Sequence, residues 1–141
     1  MVLVDSSIWI EAARREGDLM CKVALESLLE EMEAATCSPV LLEVLGGSRK
    51  EERRALKEYF EIIPHVAVGP KEWSRAIVLA WQLRDQGHSL PWNDVLIAAT
   101  ALNHDLRVYA KDKHFDLMGE KLGLGLYRPG YGGRFNSGSE S

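Results

Sequence analysis

Val95-Leu96-Ile97-Ala98-Ala99-Thr100-Ala101-Leu102 is the most hydrophobic stretch of this 141-residue chain. It leaves almost no polar face, so a helix over about residues 93–104, introduced by Pro91, is expected to lie at the centre of the fold. An acid, Asp94, stands at the start of this helix. Carboxylates are rarely left beside buried surface unless something compensates for their lost hydration. Asp94 is therefore a candidate for a functional group.

Short apolar strands and helices alternate on both sides of this segment. The pattern predicts strands at 2–4, 35–38, 62–68 with a break at Pro64, 106–110 and 122–127. It predicts further helices at 8–15, 18–35, 39–46, 48–60, 70–87 and 114–121, with Ser6, Ser7 and Ser48 as helix caps. Such alternation indicates an α/β fold, in which helices cover both faces of a parallel sheet.

Length and composition indicate one globular domain, residues 1–129, followed by a mobile glycine- and serine-rich tail, residues 130–141. Apolar residues make up 46% of the chain and charged residues 27%, which is typical of a globular protein. We find no run that would form a membrane helix and no signal segment, so we expect a cytoplasmic protein without membrane contact. Cys21 and Cys37 are expected to be free buried thiols, and the four histidines form no zinc-ligand pattern.

The net charge of −4 excludes binding of nucleic acid by overall attraction, so such binding would need local basic patches or a bridging metal. The residues that could supply patches are Arg49, Lys50, Arg53, Arg54, Lys57, Arg107, Lys111 and Lys113. The chain has no Ser-His-Asp arrangement, Walker loop or dinucleotide-binding glycine fingerprint.

Three further acids occupy positions comparable to that of Asp94. Asp5 follows the first strand, Glu43 interrupts the apolar run 39–45, and Asp112 follows the strand at 106–110. In open parallel sheets, ligands bind at the carboxyl ends of the strands. Since strand ends and the following helix starts share that edge, all four acids can face one place.

Each acid also has a plainer interpretation. Asp5 could cap the first helix, although Ser6 and Ser7 compete for that position, and Asp94 could cap its own helix beside Asn93. Glu43 could be a solvated side chain, and Asp112 could be a surface turn residue.

Clustered carboxylates repel, and without a cation some of them would take up protons. Mg²⁺ and Mn²⁺ prefer hard oxygen ligands and are often held by a few carboxylates plus substrate phosphate. Such an ion can activate water and stabilise charge on a phosphate and on the leaving 3′ oxygen. The acids therefore favour metal-dependent phosphate chemistry.

Four motifs in this order resemble a PIN-domain ribonuclease, specifically the VapC-type toxin of a type II toxin–antitoxin pair. The resemblance spans about residues 2–126. Its motifs are Val4-Asp5-Ser6-Ser7-Ile8-Trp9-Ile10, Pro39-Val40-Leu41-Leu42-Glu43-Val44-Leu45-Gly46-Gly47, Asn93-Asp94-Val95-Leu96-Ile97-Ala98-Ala99-Thr100-Ala101 and Lys111-Asp112-Lys113-His114-Phe115. It implies a three-layer α/β/α sandwich with a mainly parallel sheet, usually dimeric.

The resemblance implies that Asp5, Glu43, Asp94 and Asp112 are the catalytic set. Asp5 and Asp94 would hold Mg²⁺ or Mn²⁺ most directly, with Asp112 also counted among the metal residues. Glu43 and Asp112 would act through water or orient the attacking water.

The resemblance also nominates supporting residues. Ser7 takes the position of a small polar residue that supports the site, and Asp116 is a candidate additional acid. One departure concerns Ala110, where the family commonly has Thr or Ser. A supporting hydroxyl is therefore missing, although the ligand set is intact.

The implied partner is a small antitoxin, whose C-terminal segment would cross a groove between the early helices and bring a basic side chain into the acidic site. The residues expected to line that groove are Leu19, Val23, Leu28, Leu41, Leu45, Leu56 and Phe60.

The leading hypothesis is a metal-dependent endoribonuclease that hydrolyses RNA to 5′-phosphate and 3′-hydroxyl ends. Arg14, Lys111 or Lys113 could hold backbone phosphates. One alternative is a non-catalytic PIN-like binding or scaffold module. Another is a phosphatase with an aspartate nucleophile at Asp5, but such enzymes want a second acid two residues later, where this chain has Ser7.

Overall fold

A four-stranded, entirely parallel sheet forms the middle layer of the computed structural model, which describes residues 1–130. Its strands run in the order β3-β2-β1-β4. Their bounds are β1 Val2–Val4, β2 Ala34–Cys37, β3 His65–Val66 and β4 Arg107–Tyr109. Because β1 pairs with β2 on one side and with β4 on the other, the strand order reverses beside β1.

Helices flank this sheet and complete the three-layer α/β/α sandwich, as the sequence predicts. They are α1 Ser6–Ala13, α2 Leu19–Glu30, α3 Ser38–Gly46, α4 Arg53–Glu61, α5 Pro70–Asp85, α6 Trp92–Asn103 and α7 Lys113–Leu122. Among residues 1–130, no helix combines the length and apolar character that crossing a membrane requires.

The hydrophobic helix α6 lies in the core, as predicted. Ile97, Ala98 and Ala99 are fully buried. The hydroxyl of Thr100, the polar residue within this run, donates to the backbone oxygen of Leu96 at 2.8 Å. That bond satisfies the hydroxyl inside the helix, so the apolar run can be buried on every side.

Two predicted helix boundaries are wrong by more than one turn, for identifiable reasons, and of the strand predicted over 62–68 only His65–Val66 forms, as β3. Helix α4 begins at Arg53 rather than Ser48, because the Ser48 hydroxyl donates back to the Leu45 carbonyl at 2.6 Å and a short 3₁₀ turn, Lys50–Glu52, follows. Helix α2 ends at Glu30 rather than residue 35, because Met32 takes a left-handed backbone conformation with φ 56°.

The predicted last strand, residues 122–127, is reduced to one parallel bridge between Val108 and Leu126. Helix α7 continues to Leu122, and Gly123 ends it in the left-handed conformation with φ 73°. Residues 124–127 remain of the predicted strand, and among them Leu126 forms the bridge to β4. The predicted mobile tail, residues 130–141, lies outside the described residues except for Gly130.

Candidate metal centre

Asp5 is fixed at the carboxyl edge of the sheet by backbone and side-chain bonds. Its N–H donates to the Tyr109 carbonyl of β4 at 2.9 Å. One carboxylate oxygen, Oδ2, accepts from the Ser7 N–H at 3.1 Å and from the Ser7 hydroxyl at 2.6 Å. Asp5, not Ser6 or Ser7, is therefore the N-cap of α1.

Only one of the two carboxylate oxygens of Asp5 takes part in capping the helix. The residue is 2% exposed, and its other oxygen, Oδ1, is buried without a hydrogen-bond partner in the described structure. Buried polar atoms are nearly always paired, so an unpaired carboxylate oxygen indicates an absent partner.

Asp94 lies in the first turn of α6 and is 7% exposed. It does not cap the helix, since the cap position is Pro91. The neighbouring Asn93 donates its side-chain N–H to the Pro39 carbonyl at 3.2 Å, which ties the start of α6 to the start of α3.

Glu43 is carried by α3 and is exposed. Its Oε1 accepts from the Ser6 hydroxyl at 2.9 Å. This bond orients the side chain of Glu43, so the interpretation as a freely solvated glutamate is not what the structure shows.

Asp112 caps α7, and its Oδ1 accepts from the His114 N–H at 2.9 Å. The imidazole Nδ1 of His114 lies 3.1 Å from the same oxygen and 2.8 Å from Asp94 Oδ2. The turn at the start of α7 therefore brings both an acid and an imidazole to the edge of the sheet.

The acids converge in two groups that share Asp94. One oxygen from each of Asp5, Glu43 and Asp94 lies within 4.8 Å of the others, and the same limit holds for ligand atoms of Asp94, Asp112 and His114. The structure thus brings together all four acids that the sequence nominates.

Burial and mutual repulsion oppose the ionisation of Asp5 and Asp94. Burial raises the pKa of Asp5 to about 6, the Ser7 bonds oppose the shift, and the charges of Asp94 and Glu43 add to it. Burial also raises the pKa of Asp94. A divalent cation between these side chains would attract their negative charges and so favour the ionised forms of Asp5 and Asp94.

The donor set fits such a cation. Carboxylate oxygens are the ligands that Mg²⁺ and Mn²⁺ prefer, and the unpaired Oδ1 of Asp5 lacks the partner that a cation would provide.

Ser7 links the site to the end of β4. Its hydroxyl donates to Asp5 and accepts the N–H of Lys111 at 3.0 Å. A hydroxyl thus supports Asp5 although position 110 is alanine.

Asp116, the candidate additional acid, is exposed and pairs with Arg128 at 3.3 Å, so it belongs to neither group of acids. The Lys111 ammonium pairs with Asp18 at 3.3 Å and with Glu11 at 3.7 Å.

Arg14 also pairs with Glu11, at 3.1 Å, and Lys113 is exposed at the start of α7. Of the three cations suggested for RNA, Lys111 and Arg14 therefore already have acidic partners.

Sequence reasoning missed His114, because its spacing matches no zinc-ligand pattern. A signal was present, since His114 follows Asp112 by two residues and directly precedes Phe115, which is 1% exposed. The start of α7 had to face inward to bury that ring.

The predicted free, buried state of Cys37 is confirmed. Burial raises the pKa of its thiol to about 11, so the thiol stays protonated beside Asp5.

Comparison with known proteins decides the family. The sequence model of the PIN domain family matches residues 2–121 of this chain. The chain belongs to the PIN domain family. Its relatives include a VapC ribonuclease of Mycobacterium bovis and ribonuclease VapC11 of Mycobacterium tuberculosis. Each is 31% identical over 123 residues, which cover 84% of this chain and 91% of the relative. This PIN domain is therefore of the VapC type.

Solved structures share the fold. FitAcB from Neisseria gonorrhoeae aligns with a TM-score of 0.70 at 19% identity and covers 92% of this chain and 98% of its own. VapBC2 from Rickettsia felis, bound to a DNA fragment from its promoter, aligns with a TM-score of 0.70 at 20% identity, covering 88% and 96%.

The raised pKa of Asp5 predicts that Asp5→Asn stabilises the metal-free protein. The folded state binds a proton at Asp5 more tightly than the unfolded chain, so the free energy of unfolding falls as pH rises from about 4 to about 6. At pH 7.5 in EDTA the uncharged variant should be more stable by on the order of 2 kcal/mol, and the gain should vanish near pH 4. Urea unfolding across this pH range measures it.

Asp116→Asn is the matched control, because its exposed pair with Arg128 should change stability by less than about 1 kcal/mol. Equal or lower stability of Asp5→Asn at pH 7.5 would contradict the electrostatic description of the site.

Proposed function

We propose that this PIN domain is an endoribonuclease that depends on Mg²⁺ or Mn²⁺ and serves as the toxin of a type II toxin–antitoxin pair. The observation that supports it most is the buried, unpaired Oδ1 of Asp5 beside Asp94 and Glu43. The VapC relatives, which are named as ribonucleases, support the choice of RNA as substrate. The cytoplasmic location stays a prediction.

In this proposal Asp5 and Asp94 hold the cation directly, and Asp112 contributes from the start of α7. When bound, the cation would lower the pKa of a water molecule and stabilise negative charge on the phosphate and the leaving 3′ oxygen.

The protein's own groups orient the reactants. The two bonds from Ser7 occupy Asp5 Oδ2 and so leave Oδ1 for the cation. The Ser6 hydroxyl holds Glu43 through Oε1, which leaves Oε2 to accept a proton from the attacking water. Attack of the water oxygen in line on phosphorus then breaks the bond to the 3′ oxygen, which takes up a proton from solvent, and Glu43 releases its proton to solvent. The products end in 5′-phosphate and 3′-hydroxyl.

Lys113 is the best placed of the three suggested cations to contact RNA phosphates. It is exposed beside Asp112, whereas Lys111 and Arg14 are paired with Glu11. Binding through such a group weakens as salt concentration rises.

Asp94→Asn should abolish RNA cleavage, because the variant loses the carboxylate common to both groups of ligands. We expect a rate loss of at least about 100-fold. Incubation of purified protein with a mixed RNA pool and Mn²⁺, followed by sequencing of the new 5′-phosphate ends, measures the loss.

The control for charge is Asp85→Asn, an exposed aspartate at the end of α5, which should cleave as the wild type does. Undiminished cleavage by Asp94→Asn would refute the assignment of the site.

The phosphatase alternative finds no support in the geometry. It needs an acid at position 7, and the serine there donates its hydroxyl to the proposed nucleophile, Asp5. The scaffold alternative differs from the nuclease in one measurable respect, since a scaffold need bind no Mn²⁺ at millimolar concentration.

The proposed partner is an antitoxin. One structural neighbour is a toxin–antitoxin complex from Klebsiella pneumoniae, aligned with a TM-score of 0.64. This chain has a mainly apolar cavity between α1, α3 and α4 in which such a segment could lie. Its lining residues are Trp9, Ile10, Ala12, Ala13, Arg14, Leu25, Val44, Ser48, Glu52, Leu56, Tyr59 and Phe60. Val44 follows Glu43 on α3, so the cavity and the acid site share that helix.

Most residues that the sequence nominated for the groove lie elsewhere. Leu28 is fully buried, Leu19 is exposed on α2, and Leu41 and Leu45 line a second cavity together with Trp73. Leu56 and Phe60 are the nominated residues that line the cavity between α1, α3 and α4.

Ile10→Glu should weaken antitoxin binding by about ten-fold or more, because it places a charge in an apolar contact. Ile10 is 49% exposed, so the fold should tolerate the change. Co-expression with the antitoxin expected from the adjacent short reading frame, then calorimetry on the purified pair, measures the affinity.

Ile62→Glu is the matched control, since Ile62 is 79% exposed and lies outside the cavity lining. Unchanged affinity for Ile10→Glu would place the antitoxin on another surface.

The homodimer implied by the resemblance also belongs to this proposal. A second apolar surface on α5 and the start of α6 is a candidate for it, formed by exposed Trp73, Ile77, Trp81 and Trp92. Exposed apolar surface of this kind commonly marks a protein contact. Sedimentation velocity at micromolar concentration tests the homodimer, and a monomer under those conditions would contradict it.

A further inference from the structure

His114 occupies a position that the metal chemistry described above does not use. Its Nδ1 lies 2.8 Å from Asp94 Oδ2 and 3.1 Å from Asp112 Oδ1, at the point where α7 begins. The side chain is 40% exposed, so its other ring nitrogen can reach water. The imidazole therefore enters the acid cluster by Nδ1 alone.

Two roles fit an imidazole between two carboxylates. As a cation it would neutralise them and compete with a metal ion for their oxygens. As a neutral ring with its proton on Nε2, it would offer the Nδ1 lone pair beside those oxygens.

The donor spacing fits the second role, and the unpaired Asp5 oxygen favours that role over simple hydrogen bonding, for which N–H···O distances are the same. Neighbouring ligands of an octahedral ion with bonds of about 2.1 Å lie ~3 Å apart. The distances from Nδ1 to the oxygens of Asp94 and Asp112 bracket that value. In addition, Asp94 belongs to both ligand groups, and the first of these contains the buried Asp5 oxygen that lacks a partner.

We propose that His114 Nδ1 is a ligand of the bound cation and that this nitrogen makes the site prefer Mn²⁺ to Mg²⁺. The inference rests on the proposed function for the presence of a cation, and it goes beyond the four acids by adding a donor of a different chemical type.

The preference follows from ligand chemistry. Mg²⁺ is bound mainly by oxygen and gives up its waters reluctantly, whereas transition-metal ions gain from an imidazole nitrogen. A site of carboxylates alone would discriminate weakly between the two ions. Replacing one oxygen donor by nitrogen should therefore raise the affinity for Mn²⁺ more than that for Mg²⁺.

Calorimetric titration of the full chain with MnCl₂ and with MgCl₂ at pH 7.5 tests the proposal without reference to activity. The wild type should bind Mn²⁺ about ten-fold more tightly than Mg²⁺. In His114→Ala the Mn²⁺ affinity should fall by about ten-fold while the Mg²⁺ affinity changes little. The ratio of Mn²⁺ to Mg²⁺ affinity should therefore approach one.

His114→Asp separates loss of a ligand from loss of nitrogen. It keeps a donor at the position but supplies oxygen, so it should bind both ions and show no marked preference for Mn²⁺. It also decides the question if His114→Ala does not fold, which circular dichroism reports.

His104→Ala is the matched control, because His104 lies beyond the opposite end of α6 and also neighbours a carboxylate, Glu72 at 3.6 Å. Its ratio of affinities should equal that of the wild type.

Three results would overturn the proposal. Tighter binding of both ions by His114→Ala would show that the imidazole only competes for the oxygens. If the ratio of Mn²⁺ to Mg²⁺ affinity in His114→Ala and in His114→Asp equalled that of the wild type, Nδ1 would not be a ligand. The acid site would still stand in that case if Asp94→Asn lost cation binding. Absence of cation binding in the wild type would remove this inference together with the proposed function.

Discussion

The buried carboxylate of Asp5 is the constraint on which the site depends. Its backbone N–H is bound to β4 and its Oδ2 to Ser7, so it cannot turn away from the neighbouring acids. Desolvation and the charges of Asp94 and Glu43 oppose its ionisation. The fold thus holds an arrangement that is unfavourable by itself and that a bound cation would make favourable.

Topology explains why the acids meet. β1 lies between β2 and β4, so the chain segments that leave these three strands start from adjacent points on one edge. They carry Asp5, Glu43 on α3, and Asp112. The fourth acid arrives on α6, whose start is tied to α3 by the bond from Asn93 to Pro39. Ligand sites at such a reversal of strand order are expected of parallel sheets.

The features that the sequence predicts well are those fixed by short-range pattern. The apolar run of α6, the strand before Asp5 and the proline-started α3 each carry a local signal. The misses arise where tertiary contacts decide. His114 enters the site on α7, whose first turn also buries Phe115. The residues nominated for the groove do not share one surface, because Leu28 is buried in the core and Leu41 lines another cavity, although both read as apolar helix positions. The shortened last strand reflects how far α7 continues before Gly123.

Anomalous diffraction from crystals of this PIN domain grown with Mn²⁺ tests the central claim most directly. The account predicts a manganese peak in contact with the Oδ1 of Asp5 and with Asp94. A peak bounded by other residues, or none at this edge of the sheet at millimolar Mn²⁺, would contradict it.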